Sequence, residues 1–176
     1  MAGAERRSAR RGAVTDLKPI SREAIPRALD KVERYRLLNE PAEAESICRD
    51  VLRAEPGNQK ALVLLLLTLT DQLGRGTGVN ESRALLDRLE GEYERAYYGG
   101  IICERQGKAQ LRQGTPGSES SAHDWLKDAM RWYERAESDR PAGNDDAILR
   151  WNACARLLRD RRLTPRSEDL LEYPIE

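Results

Sequence analysis

The sequence has few of the residues from which metal sites, disulfide frameworks and aromatic cores are built. Its 176 residues include no Phe, one His and three Cys, and aromatic residues make up 5% of the chain. Three widely spaced cysteines, an odd number, do not form a disulfide framework, which favours a reducing, cytoplasmic environment. His123 has no second His or Cys at ligand spacing beside it, so we expect no metal site.

A surplus of charge of either sign is also missing. The 30 Lys and Arg balance the 30 Asp and Glu, and charged residues form 34% of the chain. This balance gives no general reason to expect binding to nucleic acid or to an anionic membrane surface. The basic run at residues 6–11 has no aromatic residue between its arginines, so it is weak evidence for nucleic-acid binding. A charge-rich chain with few aromatics suits helices with charged outer faces and suits a β-sandwich poorly.

Long hydrophobic runs are missing, with one partial exception, "ALVLLLLTLT" at residues 61–70. This run is about half of the roughly 20 apolar residues that a transmembrane helix needs, and the N-terminus lacks the apolar segment of a secretory signal. One helix face would carry four leucines at i, i+3, i+4 and i+7, namely Leu62, Leu65, Leu66 and Leu69. A second stripe beside it consists of Val63, Leu67 and Thr70. Because a helix that is apolar on two faces must be covered on two sides, we expect neighbouring helices on both flanks.

Helical patterns separated by short breakers follow one another along the rest of the chain. We predict seven helices, over about 22 or 26–38, 42–54, 59–73, 81–90, 92–113, 121–138 and 145–162. Asn80 and Ser121, the latter with Asp124 at the third helical position, are expected to cap two of them. We divide the chain into a disordered basic tail over 1–20, a helical repeat domain over 21–163 and an acidic and apolar tail over 164–176.

Two segments share one spacing of small, bulky and proline residues. They are Ala44-x3-Cys48-x2-Val51-x4-Pro56 and Ala129-x3-Tyr133-x2-Ala136-x4-Pro141. Small side chains let a partner helix approach closely, and the proline ends the helix. Both segments resemble the second helix of a tetratricopeptide repeat (TPR). In the first helices, Val32 and Tyr35 stand at the family's Gly and Tyr positions in repeat one, and Gly100 and Cys103 stand there in repeat three.

The resemblance covers residues 22–160 and implies an all-α fold. The expected architecture is an α-solenoid of about three TPR-like helical hairpins plus a final helix. Extra residues around 74–80 and 112–121 depart from the family's regular period, and they make the third hairpin unusually long. An unrelated helical bundle is the alternative fold. Cys48, Cys103 and Cys154 fall on positions that would face the core.

The resemblance also implies where a partner would bind, because peptides bound by this family usually lie along the first helices of the repeats. The matching positions form a candidate partner-binding groove of Leu29, Glu33, Arg36, Lys60, Val63, Leu67, Tyr97, Ile101, Glu104, Ile148, Asn152 and Arg156. Some family members hold a terminal carboxylate with a clamp of Lys, Asn and Arg. The clamp's Lys and Asn positions in repeat one hold Leu29 and Glu33 here, so we do not expect that mode of binding.

We therefore predict a non-catalytic, cytoplasmic adaptor or scaffold for protein–protein interaction, without cofactor or metal. It would bind a segment of another protein through the concave groove or the extended third hairpin, with no nucleic acid and no membrane insertion. The "GRGTGVN" segment at 74–80 lacks the Lys-Ser/Thr of a P-loop and is expected to be a linker. A small TPR chaperone that holds an unfolded or secreted client is the alternative. A homo-oligomer, and a C-terminal tail that covers its own groove, also stay open.

Overall fold

The structure, a computed structural model, describes residues 16–74 and 78–166. These residues form a short 3-10 turn at Arg22–Ala24 and seven α-helices, with a single isolated bridge residue at Leu73 and no strand. The all-α prediction is therefore confirmed for this part of the chain. The helices are α1 (Ile25–Leu37), α2 (Pro41–Ala54), α3 (Gln59–Asp71), α4 (Val79–Leu86), α5 (Glu92–Gln113), α6 (Ser118–Ser138) and α7 (Asp146–Asp160).

The helices pack in chain order, each against the next. In addition, α1 contacts α3, and α3 contacts α5. The helices α1, α3 and α5 therefore lie side by side as one layer, and α2 and α4 each bridge two neighbouring members of that layer. One hydrophobic core cluster is formed mainly by α1 to α4, and a second is formed by α5 to α7.

The apolar run at residues 61–70 forms most of α3, the most deeply buried helix. Asn58 caps it by accepting a hydrogen bond on its side-chain oxygen from the backbone N–H of Ala61 at 2.9 Å. The helix packs against α1, α2, α4 and α5, so it is covered on several sides, as its pattern predicts. The predicted core stripe is fully buried, namely Leu62, Leu65, Leu66 and Leu69. In the second stripe, Val63 and Leu67 keep part of their surface exposed, whereas Thr70 is buried.

A tight turn joins α1 to α2. Asn39 adopts a positive φ of 59°, a left-handed conformation that asparagine tolerates better than most residues. Pro41 then begins α2 at a first-turn position, where a proline costs no helical hydrogen bond. On the side of α2 that faces the core, the side chains are small or of medium size and are buried. They are Ala44, Cys48 and Val51.

The third hairpin, α5 with α6, is the longest pair of helices. Its two helices approach so closely that a β-carbon at Gly100 would lie 2.4 Å from the ring of Tyr133, and one at Gly99 would lie 2.9 Å from Trp132. Gly114 ends α5 in the left-handed conformation at φ 62°, which glycine adopts without steric cost. The prediction of α5 over 92–113 agrees with the structure at both ends.

Two predicted helix starts are wrong. The helix α4 begins at Val79 after Gly78, and α6 begins at Ser118 after Gly117, so Asn80 and Ser121 lie inside their helices. Neither helix has a side-chain cap. At the start of α6, the backbone carbonyl of Gly117 accepts a hydrogen bond from the N–H of Ser121 at 3.0 Å. The helix therefore begins about one turn before the predicted capping box.

No helix in the described ranges combines the length and apolar character that a membrane crossing requires. The tails predicted over 1–20 and 164–176 lie largely outside the described residues.

Candidate partner-binding surface

Charged side chains tie α1, α3 and α5 together on one shared surface, which we call the α1–α3–α5 face. Lys60 on α3 pairs with Glu33 on α1, with 2.8 Å between Nζ and Oε1. Asp71, at the end of α3, accepts from Arg36 Nε at 2.8 Å and from Arg105 Nη1 at 2.6 Å. One carboxylate therefore joins an arginine of α1 to an arginine of α5.

Arg105 is the most firmly held cation of this face. Besides Asp71, its Nη1 donates to the backbone carbonyl of Leu67 at 2.8 Å and to Thr70 Oγ1 at 2.7 Å. Burial lowers the pKa of Arg105, the Asp71 charge raises it, and the cation of Arg36 lowers it further, with a net downward shift. The α3–α5 contact is thus fixed by a cluster of hydrogen bonds.

Two concavities lie on either side of Asp71, which lines both. The first has a volume of about 440 Å³ and is lined by residues at the ends of α3 and α5, including Arg105, Lys108 and Arg112. The second has a volume of about 450 Å³ and is lined by residues of α1 and the α1–α2 turn, including Arg36 and Leu37. We call them the α5 cavity and the α1 cavity.

Apolar side chains accompany the charges. Leu37 is 88% exposed and Leu38 is 61% exposed, which makes them two of the four large hydrophobic residues that stand exposed in the described chain. Leu37 lines the α1 cavity. Val63 and Leu67 on α3, and Tyr97 on α5, are half-buried. Leu37 therefore places an exposed apolar side chain beside Arg36 in the α1 cavity.

The structure brings only part of the predicted groove to the surface. Glu33, Arg36, Lys60, Val63, Leu67 and Tyr97 lie on α1, α3 and α5 with surface still exposed, and Ile148, Asn152 and Arg156 lie on α7 with exposed or half-buried side chains. In contrast, the structure buries Leu29, Ile101 and Glu104. Those three positions are corrected to the interior, because Leu29 packs in the first core cluster and the helices around Ile101 and Glu104 enclose them.

Glu104 is a buried carboxylate with three partners from three helices. It is 1% exposed, and it accepts from Tyr133 Oη on α6 at 2.7 Å. Its other oxygen pairs with Lys108 Nζ at 2.5 Å and with Arg150 Nη1 of α7 at 3.3 Å. Burial alone would raise the pKa of Glu104, but the hydrogen bonds of Lys108 and Tyr133 and the two positive charges outweigh burial and lower it. Glu104 therefore stabilises the junction of α5, α6 and α7 and is not available to a partner.

The sequence patterns did not single out the residues that line the α5 cavity. Arg105, Lys108 and Arg112 recur at i, i+3 and i+7, the spacing of one helix face, which was visible in the sequence. Asp71 gave no comparable signal, since its arginine partners are 35 and 34 residues away along the chain.

The tryptophans of the third hairpin are partly covered. Arg83 lies over the ring of Trp125 at 4.9 Å, and Arg135 lies over the ring of Trp132 at 4.8 Å. Both rings also pack against the second core cluster. Both tryptophan rings are therefore engaged in contacts within the chain, which leaves less aromatic surface of the extended hairpin free for a partner.

Reactive groups are buried or occupied. Burial raises the pKa of Cys48 to about 12, that of Cys103 to about 11 and that of Cys154 to about 12, so these thiols are poor nucleophiles at neutral pH. His123 Nδ1 lies 3.0 Å from Asp124 Oδ1. Within residues 16–74 and 78–166, no group of three or more His, Cys, Asp or Glu side chains is placed to hold a metal ion.

Comparison of this chain with protein-family models, with curated proteins and with solved structures finds no match.

Proposed function

We propose that this protein is a TPR-like α-solenoid of about three hairpins plus a final helix, and that it acts as a non-catalytic adaptor in the cytoplasm. It would bind a segment of a partner protein along the α1–α3–α5 face. The helix order supports this architecture, because alternate helices form one layer and the intervening helices bridge them. The inward positions of the repeat pattern are also buried in both matching segments, for example Ala44 in α2 and Ala129 in α6.

The observation that carries the proposal is the pair of concavities that share Asp71. Three helices contribute to this surface, and the ion pairs of Asp71 with Arg36 and Arg105 hold them in register. A surface that is already fixed loses little conformational freedom when a flexible segment binds to it. The proposed mode is therefore an extended or helical segment docked on a rigid helical face.

The two kinds of side chain on the face would have different roles. Leu37 and the half-buried Leu67 would bury apolar side chains of the partner, which supplies most of the binding free energy. Charged groups at the edges, such as the Lys60–Glu33 pair, would set the orientation of the segment and the rate of encounter.

Site-specific photo-cross-linking in cells tests the proposal. A benzoylphenylalanine residue is introduced at the exposed positions Leu37 and Lys60 on the face, and at Arg53 and Glu137, which are exposed on α2 and α6. We expect the face positions to capture the same partner and the other two positions not to capture it. Equal capture from all four positions, or none from the face, would contradict the proposal.

Substitutions then check that the cross-linked partner binds through the face. Leu67→Glu and Tyr97→Glu are expected to abolish capture, whereas Ile47→Glu, at an equally half-buried position on α2, is expected to retain it. Circular dichroism and the unfolding midpoint of each variant establish that it is folded. Suppression of the aggregation of reduced insulin by the wild-type chain, without selective capture from the face, would favour the chaperone alternative.

A further inference from the structure

We infer that the ten residues after Arg166, which we call the 167–176 segment, fold back within the same chain and bind α7, the last helix of the stack. The acidic side chains of the segment would pair with the arginines at the end of α7, and its apolar side chains would cover Leu149. This inference does not depend on the binding of a partner to the α1–α3–α5 face.

A surplus of positive charge lies at the end of α7. Residues 156–166 include five arginines and a single acidic residue, Asp160. Arg159 pairs with Asp160 at 2.9 Å. The other four arginines are exposed and make no ion pair with the described residues, namely Arg156, Arg161, Arg162 and Arg166. The helix macrodipole favours cations in the last turn, but its effect falls off beyond the helix end, so most of this charge remains unbalanced.

Arg162 occupies a position at which helices usually have glycine. Its φ is 51°, in the left-handed region. Its N–H donates to the carbonyl of Arg159 at 3.1 Å, and the N–H of Leu163 donates to the carbonyl of Leu158 at 3.0 Å. These two bonds form a Schellman motif, in which glycine is the commonest residue at the left-handed position. A cation at this position therefore costs local stability that a glycine would not cost.

The same turn brings the start of the 167–176 segment close to these arginines. Leu163 is 9% exposed and packs in the second core cluster, so the chain turns back after α7 and is anchored there. Glu168 and Asp169 follow Arg166 by two and three residues, which is at most about 11 Å along the chain. Both carboxylates can therefore reach the end of α7 without a long loop.

The composition of the 167–176 segment is complementary to this end of α7. The segment has no basic residue and four acidic residues, namely Glu168, Asp169, Glu172 and Glu176. Leu171, Tyr173 and Ile175 alternate with acidic or proline residues, and this pattern predicts an extended conformation with one apolar side. The segment can thus present carboxylates and an apolar side to α7 together.

An extended segment of this length reaches the exposed leucine of α7. Leu149 is 63% exposed and lies eleven residues before Asp160, which is about 16 Å along the helix axis. Tyr173 and Ile175 follow Arg166 by seven and nine residues, or about 23 and 30 Å of extended chain. Either side chain can therefore contact Leu149. Burial of these apolar groups favours docking, and the covalent connection raises the effective concentration of the segment at α7.

A nitroxide spin label on the 167–176 segment of the full-length, ¹⁵N-labelled protein tests the inference by NMR. The label is attached at Pro174→Cys, which keeps every charge of the segment. The three native thiols are buried, so the new thiol reacts selectively. We expect strong paramagnetic broadening of the amide signals of residues 148–153 and little in α1. Broadening confined to signals close to Arg166 would mean that the segment does not dock, and would overturn the inference.

Two matched charge reversals locate the contact. Arg156→Glu is expected to lower the docking equilibrium constant by about threefold or more, because it replaces an attraction with a repulsion. Arg112→Glu makes the same change at an exposed position on α5, and it should leave the constant within about twofold. Circular dichroism of each variant establishes that it is folded. Equal weakening by both substitutions, or weakening by Arg112→Glu alone, would contradict docking on α7.

A mixed sample separates docking within one chain from binding between two copies. Chains labelled with ¹⁵N and without nitroxide are combined with spin-labelled chains that contain ¹⁴N. Docking within the same chain predicts no broadening of residues 148–153 in this mixture. Broadening there would show that the segment of one copy binds α7 of another, and the inference would then be wrong. Capture of a partner by cross-linking at the α1–α3–α5 face is judged independently of both results.

Discussion

Tyr133 donates its hydroxyl hydrogen to Glu104 across 2.7 Å, and both side chains are almost completely buried. This bond joins α6 to α5 at the level where Arg150 reaches the same carboxylate from α7. A buried carboxylate requires such partners, because the loss of its hydration is otherwise uncompensated. The bond is therefore one of the contacts that hold the last three helices together.

Replacing the hydroxyl isolates the contribution of this bond. Tyr133→Phe is expected to lower the free energy of unfolding by about 1.5–3 kcal/mol, the range for a hydrogen bond to a charged group. Urea denaturation followed by circular dichroism measures the change. In the Glu104→Gln background the same substitution should cost less, because the acceptor is no longer charged. Equal costs in both backgrounds would mean that the negative charge of Glu104 does not strengthen the hydrogen bond from Tyr133.

The depressed pKa of Glu104 predicts an acid sensitivity. Its carboxyl pKa is lower in the folded chain than in the unfolded chain, where it is about 4.3. The ionised form is thus favoured by folding, and its stabilisation is present above the unfolded pKa and lost as the pH falls through the folded pKa. We expect wild-type stability to fall more steeply than that of Glu104→Gln between about pH 5 and pH 3. Parallel curves of unfolding free energy against pH would contradict this assignment.

Close contact between α5 and α6 predicts that Gly100 tolerates no side chain. A β-carbon there would lie 2.4 Å from Tyr133, whose ring is fully buried and cannot move aside freely. Although alanine favours helix more than glycine does, we expect Gly100→Ala to lower the unfolding free energy by about 1–3 kcal/mol through overpacking. Gly57→Ala is the matched control, because nothing lies within 4 Å of its β-carbon position. The control should change stability by less than about 0.5 kcal/mol.

Much of the helical pattern could be predicted from local sequence. The leucines of α3 recur at the helical period, and their burial follows from the number of neighbours that a doubly apolar helix needs. The α5 boundaries were also predictable, since Gly91 and Gly114 flank an uninterrupted helical stretch. The start of α6 was not predictable. The sequence has a capping-box pattern at Ser121, but the helix begins after Gly117 without a side-chain cap.

The candidate surface was less predictable than the helices, for a physical reason. A repeat pattern assigns a residue to a helix face, but its burial depends on side chains that arrive from distant helices. Glu104 stood at a predicted groove position, yet Tyr133 and Arg150 enclose it from 29 and 46 residues away. Asp71 is the reverse case, because it was not among the predicted groove residues. Only the packing of α1, α3 and α5 brings Arg36 and Arg105 to its carboxylate.

Asp71 is therefore the residue whose removal should affect the face most directly. Asp71→Asn keeps the side-chain shape but withdraws the negative charge that both arginines bind. Arg105 would remain largely buried without its counter-charge, so we expect the unfolding free energy to fall by about 1–3 kcal/mol. Asp50→Asn is the control, because Asp50 pairs with Arg53 of its own helix near the surface, at 3.3 Å. That change is expected to cost less than about 0.5 kcal/mol.

The same variant links stability to partner binding. With Asp71 neutralised, the α5 cavity gains net positive charge, while its side chains lose their fixed arrangement. If the partner segment binds mainly through negatively charged side chains, its affinity for Asp71→Asn should rise at low salt and fall back as salt is added. A loss of affinity at all salt concentrations would instead indicate that the arrangement imposed by Asp71 matters more than the charge. Isothermal titration calorimetry at two ionic strengths distinguishes these cases, with Asp50→Asn measured alongside.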